Sequence, residues 1–294
     1  MIIKLEGVIN VNIDGKTKLI CLLGHPVSHS FSPSIHNYLI SRYKRNNVYV
    51  CFDVKPEKLE DVVSNVKTLK MQGCNVTIPH KVDVMKYLDE IDEKAKIIGA
   101  VNTIKNEGGV LKGYNTDGIG FVKSVLDKGY TLKDKKVMIL GAGGACRSIA
   151  VEMASNNISS LQIRNRSKSK AEDIIKTVKK HFNINASYSI DEITKEDLKD
   201  IDILINTTPI GMETDECPID DSINPNADLL VCDIVYKPHE TRFIRWAKDN
   251  NLDVVYGINM LINQGLHAFY IWTGIKADNG DVEYIKSLYE KSIN

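Results

Sequence analysis

The sequence predicts an α/β protein built on parallel sheets. Strand-like apolar runs and amphipathic helical segments alternate along almost the whole chain, which is the order expected when helices join neighbouring parallel strands. At "VMILGAGGACRSIA" (137–150), an apolar run passes through a glycine-rich turn into a helical segment, as in doubly wound sheets. With 294 residues, the chain is long enough for one large or two ordinary domains.

The first part of the chain supplies one cycle of such elements. "KLICLLG" (18–24) is predicted as a strand. Ser32 and Pro33 are predicted as the N-cap and the first residue of a helix that runs to about Lys44. The later elements predicted here are a strand at 48–54, a helix at 56–69, a strand at 74–78, two short helices to about Ile98 and a hairpin at 101–115.

A second cycle of elements begins after Asp117. Its predicted strands lie at 136–141, 160–165, 202–208, 229–236 and 253–257, with helices between most of them. We interpret this part as one doubly wound unit. Two further helical segments, at about 258–273 and 279–292, have no strand after them. The pattern alone does not decide which part of the chain they pack on.

The composition excludes several classes of function. Lys+Arg and Asp+Glu both number 38, so the formal net charge is zero, which gives no electrostatic basis for general binding to nucleic acids or anionic membranes. No apolar run approaches the ~20 residues of a membrane helix, and the N-terminal segment has no signal-peptide pattern. The six cysteines form no C-x-x-C pair, which favours reduced thiols over disulfides or zinc. We therefore expect a cytoplasmic protein that binds no metal.

The segment "NVTIPHK" (75–81) places a cation where electrostatics disfavours one. Residues Asn75 to Ile78 are predicted as a strand and Pro79 as the first residue of a helix, so Lys81 would fall in the first helical turn. The helix macrodipole is positive there and disfavours a lysine by roughly a few tenths of a kcal/mol. Stability gives no reason for this lysine, so it is either a solvated surface residue or a functional one.

The glycine-rich turn after residue 140 matches the pattern of a dinucleotide-binding loop. Gly141 permits the tight turn and Gly143 lets the backbone approach a pyrophosphate, while Cys146 stands where a third glycine is usual. The alternative is a glycine turn with a purely structural role. The predicted loop consists of Gly141, Ala142, Gly143, Gly144 and Ala145.

The segment after the second strand of this unit discriminates between the two nicotinamide cofactors. An NAD site usually carries Asp or Glu about 20 residues beyond the glycine turn, but "RNRSKSKA" (164–171) has no acid before Glu172. A loop of donors and cations suits a 2′-phosphate, so NADP is favoured over NAD; the alternative is a solvated basic turn. The residues that would bind this phosphate are Asn165, Arg166, Ser167, Lys168 and Lys170.

From about residue 18 to residue 275 the chain resembles the shikimate dehydrogenase family. The resemblance is carried by nine motifs in the family's order: "GHPVSHSFSPSIHN" (24–37), "NVTIPHK" (75–81), "IGAVNT" (98–103), "GYNTDG" (113–118), "GAGGACRS" (141–148), "NRSKSKA" (165–171), "NTTPIGM" (206–212), "DIVYKP" (233–238) and "GINMLINQGLHAF" (257–269). The family reduces 3-dehydroshikimate to shikimate with NADPH, as oxidoreductases acting on a CH–OH group in chorismate and aromatic amino acid biosynthesis.

The resemblance also implies the domain organisation. It implies two α/β domains around a cleft: an N-terminal substrate domain with a mostly parallel sheet and a Rossmann NADP-binding domain. Residues 1–116 and 257–294 would form the substrate-binding and catalytic domain, because the C-terminal helices of the family return to the first domain. Residues 117–256 would form the cofactor domain. Residues 1–17 match none of the motifs and would form either an extra strand or an arm.

By the same resemblance, Lys81 and Asp117 would be the catalytic pair. Lys81 would protonate the carbonyl oxygen as hydride arrives and accept the proton in the reverse direction, while Asp117 would hold the lysine or share the proton. A helix N-terminus lowers a lysine pKa and a carboxylate raises it, so the division of labour stays open. His80, beside the lysine, occupies a position that varies in the family and is interpreted as incidental.

The remaining site residues are also implied by the resemblance. Ser30 and Ser32 would bind the substrate carboxylate, consistent with a helix N-terminus at Ser32. The substrate-binding set is Ser30, Ser32, Thr77, Lys81, Asn102, Asp117, Tyr236 and Gln264. Beyond the glycine turn and the basic loop, the cofactor would contact Thr207, Ile234, Gly257 and Met260 on its nicotinamide side, and Glu93 stands where some relatives contact the cofactor.

Two alternatives to an NADP-dependent shikimate dehydrogenase remain. An NAD-dependent quinate/shikimate dehydrogenase would share the catalytic pair but usually carries an acid after the second strand. A non-catalytic ligand sensor on the same fold should lack the lysine, the aspartate or the glycine turn, all of which are present. The expected partners are the small-molecule substrates, shikimate and 3-dehydroshikimate, in a monomer or a homodimer.

Overall fold

A computed structural model describes residues 13–293 of the chain. The chain forms two compact units: the first ends at Thr116 and resumes at Gly265, and the second comprises Asp117–Gln264. The second unit thus ends at residue 264, whereas the resemblance implied an end at residue 256. Of residues 1–17, for which the sequence left an extra strand or an arm open, residues 1–12 lie outside the described part and 13–17 contain a turn.

The first unit contains a mixed, mostly parallel sheet of six strands in the order β2-β1-β3-β5-β6-β4. The apolar strand β1 pairs in parallel with β2 and β3, and β5 and β6 form the predicted antiparallel hairpin. Its strands are β1 (Lys18–Gly24), β2 (Asn47–Asp53), β3 (Gly73–Val76), β4 (Glu90–Ile91), β5 (Thr103–Glu107) and β6 (Val110–Tyr114).

The helices of the first unit cover this sheet. Three α-helices come from the first part of the chain: α1 (Ser32–Arg42), α2 (Leu59–Thr68) and α3 (Glu93–Ile98). Short 3-10 helices at Pro56–Lys58 and Asp83–Tyr87 precede the last two. Leu59, Val63 and Val66 of α2 pack in a buried apolar cluster with strand residues such as Cys21 and Cys74.

The second unit is a fully parallel sheet in the order β12-β11-β10-β7-β8-β9, which is the doubly wound order and confirms the predicted fold class. Its strands are β7 (Lys136–Leu140), β8 (Ser160–Arg164), β9 (Asn185–Ser189), β10 (Ile203–Asn206), β11 (Leu230–Asp233) and β12 (Val254–Val255). Its helices are α4 (Asp117–Asp127), α5 (Gly144–Ser155), α6 (Lys168–His181), α7 (Lys195–Leu198) and α8 (Arg242–Asp249). Strand β9 was not predicted, because "NASYS" is a polar edge segment with one fully buried side chain, Ala186.

The C-terminal helices are α9 (Gly257–Thr273), which contains the boundary between the units, and α10 (Asn279–Ile293). Trp272 donates its indole N–H to the carbonyl of Ile104 on β5 at 2.9 Å. Tyr38 and Tyr43 donate to the buried carboxylate of Asp281 at 3.0 and 2.5 Å. These contacts settle what the pattern left open: the segment after residue 264 packs on the first unit.

Two local predictions were wrong. Pro79 does not open a helix, because β3 ends at Val76 and a turn occupies residues 78–82 before the 3-10 helix begins. The macrodipole argument for Lys81 therefore does not apply. Ser32 is not the N-cap of α1 but its first residue, and its N–H donates to Ser30 Oγ at 3.2 Å.

Candidate active site

In the second unit, the glycine turn joins β7 directly to α5. Gly141 has a φ of 99°, which only glycine adopts without strain, and a Cβ there would lie 2.9 Å from Thr207 Oγ1. Gly143 and Gly144 are exposed, and a Cβ on either would meet no atom within 4 Å. No side chain caps α5. The turn therefore leaves open space above a helix N-terminus, which is the arrangement that accepts a pyrophosphate.

The basic loop begins beside this turn. The N–H of Gly141 donates to the carbonyl of Arg164, the last residue of β8, at 2.8 Å. Arg166, Lys168 and Lys170 are exposed, and no acidic partner is found for any of them within the described part of the chain. Three exposed cations next to the glycine turn are the charge pattern expected for a 2′-phosphate site, and their role in binding one stays a prediction.

The other two polar residues of this loop shape it. Asn165 donates from Nδ2 to the carbonyl of Ser167 at 2.8 Å, and its own N–H donates to the carbonyl of Ser189 at 3.2 Å. Ser167 stands at the N-cap position of α6, without a side-chain cap hydrogen bond. The predicted loop residues are thus brought together at the carboxyl end of β8.

Of the proposed nicotinamide residues, Thr207 and Ile234 directly follow β10 and β11, and Gly257 and Met260 lie in the first turn of α9. Thr207 donates its hydroxyl to the carbonyl of Leu140 at 2.6 Å, directly beside Gly141. A Cβ on Gly257 would lie 2.5 Å from the carbonyl oxygen of Ile234, so α9 starts against the backbone of β11. Met260 and Ile234 pack against the same apolar core. The glycine at 257 therefore permits a close backbone approach.

In the first unit, the predicted carboxylate ligands stand at the start of α1. Ser32 is nearly buried and Ser30 is half-buried. Burial raises the pKa of the Tyr49 hydroxyl well above its usual value, while a hydrogen bond from Ser32 lowers it. Thr77 follows β3, and its methyl group would lie 2.3 Å from a Cβ on Gly24, so glycine is required where β1 ends.

Asn102 is held by hydrogen bonds within the first unit. Its Oδ1 accepts from the backbone N–H of Thr116 at 2.8 Å, and its Nδ2 donates to the Thr116 hydroxyl at 2.9 Å. Thr103 donates its hydroxyl to the same Oδ1 at 3.0 Å and accepts from Asn75 Nδ2 at 3.1 Å. Thr103 and Thr116, which fix the orientation of this amide, were not predicted as site residues from the sequence.

Lys81 lies in a turn that is anchored on both sides of the chain. The carbonyl of Lys81 accepts from the N–H of Val101 at 2.7 Å. His80 is 1% exposed, and its Nε2 donates to the carbonyl of Val54 at 2.6 Å. The imidazole is therefore a structural donor that fixes the turn, and its interpretation as incidental to the chemistry stays a prediction.

The remaining predicted residues are placed as follows. Asp117 is the first residue of α4, 6% exposed, and belongs to the second unit, whereas Lys81 belongs to the first. Burial raises the pKa of Tyr236, and Gln264 donates from Nε2 to the carbonyl of Leu261 at 2.8 Å. Glu93 opens α3 in the first unit and pairs with Lys96 at 2.6 Å on the surface. The grouping of these residues in one site remains a prediction.

Residues 13–293 contain neither a metal cluster nor a membrane-spanning helix. Within that part of the chain, no group of three or more His, Cys, Asp or Glu side chains could hold a metal ion, and no helix is both long and apolar enough to cross a bilayer. All six cysteines are free thiols. Burial raises the pKa of Cys146, beneath the glycine turn, to about 12.

A doubly wound sheet with an open glycine turn and an unpaired basic loop defines a dinucleotide-binding α/β protein of the dehydrogenase class. Three family models match the chain: the shikimate dehydrogenase substrate binding domain at residues 22–104, shikimate / quinate 5-dehydrogenase at 122–213, and the shikimate 5′-dehydrogenase C-terminal domain at 257–286. The chain belongs to the shikimate dehydrogenase family.

Individual relatives agree along nearly the whole length. The chain is 44% identical over 267 residues to the shikimate dehydrogenase (NADP(+)) of Caldanaerobacter subterraneus subsp. tengcongensis, covering 90% of this chain and 94% of that protein. A crystal structure of shikimate dehydrogenase in complex with NADP+ superposes with a TM-score of 0.89 at 42% identity, covering 98% of this chain and all of that one. Shikimate 5-dehydrogenase from Listeria monocytogenes, in complex with shikimate and NAD, gives 0.88 at 33% identity, covering 94% and 98%.

Proposed function

We propose that this chain catalyses the reversible NADPH-dependent reduction of 3-dehydroshikimate to shikimate, in the biosynthesis of chorismate and aromatic amino acids. One observation carries the proposal: an open glycine turn adjoins a loop of three unpaired cations, in a chain 44% identical over 90% of its length to an NADP-dependent shikimate dehydrogenase. The second unit would bind the cofactor and the first the substrate, with Asp117, Tyr236 and Gln264 contributed by the second.

The residues of the second unit fit NADP. The open space above Gly143 and Gly144 accommodates a pyrophosphate, and the cations of the basic loop balance the charge of a 2′-phosphate. Arg166 offers planar, bidentate hydrogen bonding to that phosphate, which a lysine does not. Thr207, Ile234, Gly257 and Met260 would line the nicotinamide end. Glu93 remains a weaker candidate, since it is paired on the surface of the first unit.

In the reduction, NADPH, when bound, would supply a hydride to the carbonyl carbon of the substrate. The carbonyl oxygen then needs one proton, and the Lys81 ammonium group is the proposed donor. In the reverse direction the neutral amine removes that proton from the alcohol. Asp117 is the proposed partner that orients Lys81.

The substrate is a small carboxylate with hydroxyl groups, and the first unit offers matching donors. The hydroxyl groups of Ser30 and Ser32, at the start of α1, would bind the carboxylate. Asn102 is oriented by the hydrogen bonds of its Oδ1 and Nδ2 to Thr116, and its amide group would bind a substrate hydroxyl. Thr77 would contribute a further hydroxyl.

The experiment that tests the proposal is shikimate-dependent reduction of NADP+ by the purified chain, followed by absorbance at the wavelength of the reduced cofactor. NAD and quinate serve as controls. We expect kcat/KM for NADP+ with shikimate to exceed both other combinations by about tenfold or more. Preferred use of NAD and quinate would indicate the quinate/shikimate alternative, and absence of turnover with shikimate binding intact would indicate a ligand sensor.

Three further predictions from the sequence belong with this proposal. The partners are the two small molecules of the reaction together with NADP, and no role for nucleic acid or membrane is proposed. The chain would act as a monomer or a homodimer. Its location would be the cytoplasm.

A further inference from the structure

Asp233 is a buried carboxylate that the proposed reaction does not use. It ends β11 and is 2% exposed. Its Oδ1 accepts from Asn206 Nδ2 and from the N–H of Val235, both at 3.0 Å, and its Oδ2 accepts from the hydroxyl of Thr241 at 2.6 Å. Burial raises the pKa of Asp233 to about 6, while these three donors lower it. A buried carboxylate with only neutral partners is costly, so its position calls for an explanation.

The three donors belong to three segments of the second unit. Asn206 ends β10 and Val235 lies in the loop after β11. Thr241 is the N-cap of α8, where its hydroxyl also accepts from the N–H of Ile244 at 3.2 Å. Asp233 therefore ties the end of one strand to the turn after the next strand and to the helix that follows.

Asn206 extends this connection to Thr208, two residues further along the chain. Its Oδ1 accepts from the N–H of Thr208 at 3.0 Å and from the Thr208 hydroxyl at 2.7 Å. Thr207, which lies between them, donates its N–H to the carbonyl of Leu140 at 2.9 Å. Ile234 donates its N–H to the carbonyl of Asn206 at 3.1 Å. Thr207 thus lies between Asn206, which donates to the Asp233 carboxylate, and Thr208, which donates to Asn206. Ile234 lies between Asp233 itself and Val235, whose N–H donates to the same carboxylate.

We propose that Asp233 is a positioning residue for the nicotinamide half of the cofactor site, an inference that rests on the proposed function. It acts through segments 206–208 and 233–235, which carry Thr207 and Ile234. The adenosine and phosphate half is formed by other segments, the glycine turn and the basic loop. Loss of the Asp233 carboxylate should therefore weaken binding of the nicotinamide half and leave the adenosine half unchanged.

The test compares two ligands that share the adenosine half. NADPH and adenosine 2′,5′-bisphosphate, which lacks nicotinamide, are titrated into wild type, Asp233→Ala and Asp233→Asn by calorimetry without shikimate. In Asp233→Ala all three acceptor bonds are lost, so we expect the Kd for NADPH to rise about tenfold and that for the bisphosphate to stay within about twofold. In Asp233→Asn the remaining oxygen can accept from Asn206 and Val235, and the amide can donate to Thr241, so NADPH binding should recover to within about threefold of wild type.

A purely structural role predicts a different pattern. Equal weakening of both ligands in Asp233→Ala, or no weakening of either, would overturn the inference, and so would an Asp233→Asn variant as weak as the alanine variant. Tyr130→Phe is the matched control, because it removes one neutral donor to a carboxylate, Asp253, in the same unit at 2.7 Å. We expect it to leave both Kd values unchanged.

A milder variant covers the case in which Asp233→Ala does not fold. Thr208→Val removes the 2.7 Å bond to Asn206 and the 3.2 Å bond that the hydroxyl accepts from the N–H of Ile210, but leaves the Asp233 carboxylate in place. We expect a Kd for NADPH about threefold higher with an unchanged Kd for the bisphosphate. An unchanged NADPH Kd would overturn the inference. Wild-type NADPH binding and shikimate oxidation are measured first: their absence would overturn the proposed function and this inference together, whereas a normal wild type with unaffected variants would overturn this inference alone.

Discussion

Gly143→Ala separates the proposed cofactor role of the glycine turn from its contribution to stability. Gly143 has φ −88° and ψ −171°, an extended conformation that alanine adopts freely, and the added Cβ would meet no atom within 4 Å. Alanine has fewer conformations than glycine in the unfolded chain, which stabilises the folded protein by roughly 0.4–1 kcal/mol. Alanine is a poorer N-cap residue than glycine, which destabilises the helix by about as much. The two effects nearly cancel, so the melting temperature should stay within about 4 °C of wild type.

The effect on the cofactor should be large by comparison. A pyrophosphate oxygen bonded to the backbone N–H groups would lie about 2.9 Å from a nitrogen, and the alanine methyl group would occupy the space that the phosphate needs. A loss of about 1.4 kcal/mol or more corresponds to a tenfold or greater rise in the KM for NADP. Gly15→Ala is the control, because that Cβ also meets no atom within 4 Å at a site unrelated to the turn. A KM for NADP within about twofold of wild type in Gly143→Ala would refute the assignment of this turn as the phosphate site.

Two further predictions concern cofactor choice and acid stability. Arg166→Asp should raise the KM for NADP far more than the KM for NAD, because it replaces an unpaired cation by an anion beside the proposed 2′-phosphate; equal effects in steady-state assays would refute this role. Burial lowers the pKa of His36 to about 3 from 6.5, so the unfolded chain binds a proton there at higher pH than the folded chain does. This contribution is fully present above pH 6.5 and is lost as the pH falls toward 3, by at most about 5 kcal/mol. In denaturant titrations, His36→Phe should therefore show a shallower loss of stability over that range than wild type, and an identical slope would contradict the explanation.

The sequence predicted best the features that depend on local pattern. Strand β7, the glycine turn and α5 follow one another without interruption, so apolar run, turn and helix are all readable from "VMILGAGGACRSIA" (137–150). The hairpin of β5 and β6 was predictable for the same reason, since Gly108 and Gly109 both take positive φ between two short strands.

The wrong predictions concern places where distant contacts decide the local structure. A strand followed by proline is compatible with a helix start and with a turn. In "NVTIPHK" the turn is fixed by two contacts that are distant in sequence: His80 donates to the carbonyl of Val54, and Val101 donates its N–H to the carbonyl of Lys81. Asn206 and Asp233 meet because β10 and β11 pair in that register. No spacing in the sequence reveals such a register, so this buried pair could not be predicted.

The catalytic assignment of Lys81 is the central claim that a single measurement tests most directly. Turnover of shikimate with NADP+ is measured for wild type and Lys81→Ala, together with the Kd for shikimate. Lys86→Ala serves as the control, because Lys86 is exposed and pairs with Asp83 at 2.6 Å on the adjoining 3-10 helix. We expect Lys81→Ala to lose about 100-fold or more in kcat, as for removal of a general acid–base group, with a much smaller change in shikimate Kd and no change in the control. Near-normal turnover in Lys81→Ala would contradict the proposed mechanism.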